Sequence, residues 1–163
     1  FGALENFLSK FAAESHLPSG GTYFLVMSML LLLTRVTVGK IADRKGEGIF
    51  VYTCNLSMLL SFLRLAFLPN RFTFYLSAVL SGYAFGGLEP ALQSMAVHIA
   101  PPEKRGSANS TFLCAYDIGI GIGGGLSGVL ITAFGYPVMW GLLAIANVFS
   151  VLLYLRIGRN LTY

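Results

Sequence analysis

Charge is scarce in this chain. Charged residues make up 11% of its 163 residues, against about 25% in an ordinary soluble domain. A chain so poor in charge and 55% hydrophobic is neither disordered nor able to hide its apolar surface in a soluble core. Cysteine is just as sparse. Cys54 and Cys114 stand in separate apolar runs without a CxxC pair or a neighbouring histidine, so packing is their expected role and a disulfide or metal site lacks support. The 2 histidines do not make a metal cluster. No Met and no basic stretch precede the first apolar residues, so no signal peptide is visible and the start at Phe1 reads as a truncation.

What is abundant points the other way. Thirteen Phe, 19 Gly and a mean hydropathy of +0.71 suit helices in lipid, where glycine is more frequent than in soluble helices. A bilayer core takes about 20 mostly apolar residues per helix. Residues 15–34 hold no Asp, Glu, Lys or Arg, and 48–68 hold only Arg64. Residues 72–100 hold Glu89 and His98, and 107–155 hold only Asp117. The last run is too long for one crossing, and Phe134-Gly135-Tyr136-Pro137 supplies the break. Five full spans result, preceded by a helical piece, 1–14, too short to cross. Polar loops are expected at 15–20, 40–47, 69–71 and 101–106, with no linker to a second domain.

The basic pI near 9.2 follows from topology. Arg35, Lys40, Arg44, Lys45, Lys104, Arg105, Arg156 and Arg159 fall on one side of the expected bilayer; Lys10 and Arg71 fall on the other. By the positive-inside rule the first side, with the C-terminus, is cytoplasmic. No basic stripe interleaves with exposed aromatics, so nucleic acid is not an expected partner.

The run Gly39-Lys40-Ile41-Ala42-Asp43-Arg44-Lys45-Gly46 combines glycines for a tight reversal, an acid able to face a helix N-terminus, and cations that hold it inside. It resembles the G-x-x-x-D-R-x-G signature of the major facilitator superfamily, found between the second and third helices of each six-helix half; Gly39, Asp43, Arg44 and Gly46 carry the match. Glu47 and Gly48 stand where basic residues usually close that signature. The stretch from Pro101 to Asn109, leading into Asp117-Ile118-Gly119-Ile120-Gly121, is similar to the entry into the eleventh helix of bacterial facilitator exporters. Phe1-Gly2-Ala3-Leu4 with Phe7-Leu8 resembles the outer end of the seventh.

The resemblance implies that residues 1–163 are the C-terminal transmembrane half of a twelve-helix transporter. The fold would be all-α and integral to the membrane, five full transmembrane helices plus a truncated leading helix, with the N-terminal half missing. It implies no enzyme and no cofactor or metal, but secondary active transport: proton-coupled export of small organic molecules by alternating access, in a bacterial plasma membrane. The partners would be a small-molecule substrate, protons, the lipid bilayer and the missing six-helix half. An importer of a sugar or metabolite stays open, as does a non-transporting membrane scaffold. An intramembrane enzyme would need a nucleophile with its base, or metal ligands, at membrane depth, and the histidines stand at helix ends.

Helical spacing assembles the candidate site. Gly82, Gly86, Glu89 and Gln93 share one face of the fourth span, and Ser110, Asp117, Gly121, Gly124 and Gly128 share one face of the fifth. An acid deep in a bilayer costs about 2.5–3.5 kcal/mol on insertion scales, so it faces a cavity or a partner. Glu89, beside the helix-bending Pro90, is the favoured proton-coupling acid, ahead of Asp117; Gln93 and Glu5 complete the expected cavity set. The glycine run from Gly119 matches G-x-G-x-x-G, but no strand precedes it, and a close-packing or gating surface is the better reading. Lys10 and Glu14, four apart, are expected to pair, and Arg64 to snorkel toward the outer interface.

Overall fold

The computed structural model describes residues 1–45 and 48–156, with backbone alone for 38–45 and 49. Helices account for nearly all of it: α1 (Gly2–Glu14), α2 (Gly20–Lys45), α3 (Gly48–Phe67), α4 (Arg71–Ile99) and α5 (Arg105–Arg156), with one 3-10 turn, Pro102–Lys104, before α5. No strand occurs among the described residues.

Local chemistry sets each boundary. α1 ends in a Schellman arrangement: the Leu17 N–H bonds the Ala12 carbonyl at 2.9 Å and the His16 N–H the Ala13 carbonyl at 3.4 Å. His16 must therefore take φ 53°, a left-handed conformation that glycine adopts more easily. Pro18 then prevents the helix from resuming. The Ser19 hydroxyl accepts from the Gly21 N–H at 3.2 Å and opens α2. At the start of α4, Asn70 and Thr73 form a reciprocal capping box, with bonds of 2.9 and 3.1 Å.

α5 is two helices. Gly135 breaks it at φ 79°, ψ 175°, and Pro137 restarts it in the first turn of the next limb. At about 1.5 Å per residue, limbs 105–134 and 136–156 measure roughly 45 and 32 Å, each enough for a core of about 30 Å. By length and composition the described spans are Gly20–Thr37, Phe50–Phe67 and Pro102–Arg156, the last containing both limbs. α4, at 29 residues, is long enough, but its serines, glycines, tyrosines and Glu89 dilute its hydropathy.

The expected loop at 40–47 starts too early, because α2 stays helical to Lys45. Arg35, assigned from sequence to that loop, lies ten residues inside the helix, roughly 15 Å from its end. The Lys10–Glu14 pair does not form; the ion pair among the described residues is Arg35–Glu89. Both side chains at that turn of α1 are exposed, where an isolated pair gains little against the entropy of holding it.

The core gathers Leu4, Leu8 and Phe11 of α1, Tyr23 and Met27 of α2, Met58 and Phe62 of α3, Phe74 and Ala78 of α4, and Met139 and Trp140 of the last limb. Trp140 stacks on Phe62 and meets Phe11 edge-on, with centroids 6.0 and 5.8 Å apart. Large apolar side chains such as Leu32, Leu33, Val129 and Phe149 point outward, as lipid-facing surfaces do. Cys54 is buried, whereas Cys114 is exposed rather than packed.

Two substitutions test these contacts in opposite directions. His16→Gly removes a left-handed strain worth about 1 kcal/mol and raises the thermal unfolding midpoint in detergent. Gly86→Ala places a Cβ 2.7 Å from that of Thr34 and lowers it, an overpacking cost of about 1–3 kcal/mol. A fall for the first or no change for the second would contradict this packing.

Candidate functional site

α4 carries most of the polar cross-links of the bundle. Its small residues let α2 approach closely: Gly82 lies against the Met27 carbonyl and Leu30, and Gly86 against Leu31 and Thr34. Both sequences advance in the same direction along this contact, so α2 and α4 run parallel. One turn beyond Gly86, Glu89 meets Arg35 of α2 in an ion pair of 2.5 Å. Glu89 is 24% exposed and Arg35 46%, so the pair borders open space rather than sitting in a sealed core. Pro90 donates no N–H, which leaves the Gly86 carbonyl without its usual helical partner beside this pair.

The other expected residues divide among neighbouring helices. Gln93 reaches α5, its Nε2 donating to Asn109 Oδ1 at 2.7 Å. The small-residue face of α5 also divides. Gly124 lies beside Gly2 and Asn6 of α1 and Gly128 beside Phe7, while Gly121 has open space in front of it. Asp117, one turn before Gly121, is exposed, and so is Glu5 on α1. Neither forms an ion pair or side-chain hydrogen bond among the described residues. Gly39, Asp43 and Arg44 fall in the last turns of α2, where only the backbone is described, and Gly46 lies outside the described residues.

The structure also places a side chain that the sequence reading passed over, Tyr116, at the interior of the bundle. Tyr116 stacks on Phe112, with ring centroids 6.2 Å apart. It also lines a cavity of about 260 Å³ between α1, α3, α4 and α5, with Phe1, Phe62, Phe85, Gly119 and Leu143 on the other walls. That interior is mostly apolar and aromatic. Among the described residues no group of His, Cys, Asp and Glu could hold a metal ion.

A second polar cluster, toward the N-terminal end of α4, was also missed. Ser81 shares hydrogen bonds with Tyr23 at 3.1 Å and Ser61 at 2.8 Å. Ser61 donates to the Ser77 carbonyl at 3.1 Å, and all four residues are buried. Serines at 77 and 81, four apart beside Gly82, were the available signal. Thr22–Tyr75 at 3.2 Å and Thr53–Tyr83 at 2.9 Å extend the pattern.

An all-helical bundle with an apolar exterior and an inward polar face defines an integral membrane protein. The family described as Major Facilitator Superfamily matches residues 6–160, and the chain belongs to that superfamily of membrane transporters. Uncharacterized MFS-type transporters of Burkholderia mallei (strain SAVP1) and Burkholderia pseudomallei (strain K96243) are each 31% identical to it over 170 residues. Those alignments cover 98% of this chain and 40% of each relative, so the chain spans well under half their length. The uncharacterized MFS-type transporter YhhS of Salmonella enteritidis PT4 (strain P125109) is 35% identical over 75 residues, 44% of this chain and 18% of the relative. No solved structure matches with comparable significance.

The buried hydroxyl cluster gives a direct test. Tyr23→Phe and Ser81→Ala each cost about 1 kcal/mol, the net worth of one hydrogen bond, and together they cost less than their sum because they share a bond. Strict additivity in thermal unfolding would show that the two hydroxyls act independently.

Proposed function

We propose that the chain is the C-terminal transmembrane half of a proton-coupled secondary transporter that exports small organic molecules from a bacterial cell. The observation carrying this reading is the Arg35–Glu89 pair, held across a glycine-lined helix contact beside a proline-interrupted turn. A carboxylate placed there has work that a structural hydrogen bond does not need. When Glu89 takes a proton, it loses the charge that holds the Arg35 guanidinium, and α2 is free to move relative to α4. When it releases the proton, the pair closes again. Alternating access requires such a two-state contact biased by a bound ion.

Gly82 and Gly86 suit this role, because backbones in close contact can slide without side chains interlocking. Asp117, Glu5, Gln93 and the Tyr116 cavity would contribute to the substrate path. Gly121, with nothing in front of it in this half, offers a face to the six-helix partner. The export direction rests on the similarity to bacterial exporters noted for the stretch entering α5.

The assay uses the full-length transporter, with a substrate chosen from a panel of toxic small organic molecules by growth protection. Glu89→Gln abolishes proton-driven accumulation in inverted vesicles but leaves downhill exchange measurable. Normal pH-dependent accumulation in both Glu89→Gln and Asp117→Asn would remove proton coupling from these acids.

The orientation is tested separately. Cysteines placed at Lys45 and Arg105, in a background with both native cysteines replaced, resist an impermeant thiol reagent in intact cells, while one at Arg71 reacts. The opposite labelling pattern would invert the proposed topology.

A further inference from the structure

The turn from α3 into α4 carries two cations that proton coupling does not use. Arg64 stands in the last turn of α3, and Arg71 opens α4. Backbone hydrogen bonds tie the two positions together. The Leu68 N–H bonds the Arg64 carbonyl at 3.0 Å, and the Asn70 N–H bonds the Leu68 carbonyl at 2.9 Å. Leu65, Ala66, Thr73 and Phe74 turn into the core, while Arg64 is half-buried and Arg71 exposed. Neither arginine has an ion pair or side-chain hydrogen bond among the described residues. No acid occurs between Glu47 and Glu89, and Glu14, which ends α1 at this end of the bundle, pairs with neither. Between and beside the two cations, large apolar side chains stand outward: Phe67 is 73% exposed and Phe72 75%, with Leu68 also exposed.

We propose that the α3–α4 turn is a binding site for an anionic phospholipid of the leaflet at that end of the bundle. Arg64 and Arg71 hold the headgroup phosphate, and Phe67, Leu68 and Phe72 pack along the acyl chains. A guanidinium presents paired N–H donors that match two phosphate oxygens. At a membrane surface, a cation without an acid partner is attracted to an anionic headgroup. Arg64 lies one turn deeper than the end of α3, and its long stem lets the charge reach the headgroup level while the methylenes stay in hydrocarbon. The apolar neighbours decide the source of the anion. A free phosphate gains nothing from three exposed apolar side chains, whereas a lipid meets both chemistries at one turn. The Asn70–Thr73 capping box fixes the turn through backbone and short side chains, leaving both guanidinium groups free for the ligand.

The test needs no identified substrate and no transport. The delipidated full-length transporter in detergent is titrated with dioleoylphosphatidylglycerol and with dioleoylphosphatidylcholine, which has the same chains, and bound lipid is read by native mass spectrometry. Phosphatidylglycerol binds several-fold more tightly than phosphatidylcholine. Arg64→Gln and Arg71→Gln each weaken the tightest phosphatidylglycerol adduct several-fold, whereas Lys10→Gln, which removes another cation from the same end of the bundle, does not. Phe72→Ser weakens it as well. Equal affinity for the two lipids overturns the site, and so does an equal loss in Lys10→Gln, which would assign the effect to the general field of that end. Glycerophosphoglycerol, the soluble headgroup, does not displace the lipid at equal concentration; displacement would assign the arginines to a free anion and overturn the lipid assignment. Thermal unfolding in lipid-free detergent monitors the fold. If Arg64→Gln lowers that midpoint, Arg71→Gln at its exposed position decides, and unchanged phosphatidylglycerol affinity there overturns the proposal.

Discussion

A helix that crosses hydrocarbon while carrying polar side chains must turn every one of them toward another helix, because lipid offers them nothing. α4 is built under that constraint, and the bundle is arranged around it. Its polar groups bond outward to α2 through Tyr75, Ser81 and Glu89, to α3 through Ser81 and Tyr83, and to α5 through Gln93. Removing α4 would strand partners on three other helices. Apolar packing alone would not specify this arrangement, since lipid tails are as apolar as leucine.

The spacing of those bonds divides α4 into functional zones. Toward the N-terminal end of α4, hydroxyls from Tyr23, Ser61, Ser77 and Ser81 are buried together, neutral and mutually satisfied. Farther along, Gly82 and Gly86 bring α2 to backbone contact. Beyond them a charged pair appears that borders open space. One helix thus carries a neutral, hydrogen-bonded end and a charged end beside Pro90.

Much of this was legible in the sequence. The Gly135-Tyr136-Pro137 break divides α5 where turn chemistry requires it, and the stripe 82, 86, 89 does face a single neighbour. The partner of Glu89 was not legible. Arg35 lies 54 positions away, and a cation near the end of an apolar run looks like a loop residue when helix termini are judged by charge alone. The error came from counting Arg35 with the basic loop that follows, although nothing between 35 and 38 breaks a helix. Gln93 was assigned to the same set as Glu89, yet its longer reach across the next turn takes it to Asn109. Tyr116 escaped notice because an aromatic at helical spacing is ordinary core, and only the fold places it on a cavity wall.

The whole account depends on Arg35 and Glu89 acting as one unit. A double-mutant cycle in the full-length transporter measures this directly, comparing thermal unfolding of Arg35→Gln, Glu89→Gln and the double substitution. Each single change leaves a charge without its partner at membrane depth and lowers the midpoint. The double change removes both charges and lowers it by no more than either alone. Additive losses would show that the two side chains are stabilised separately, and the coupling assigned to their contact would be contradicted.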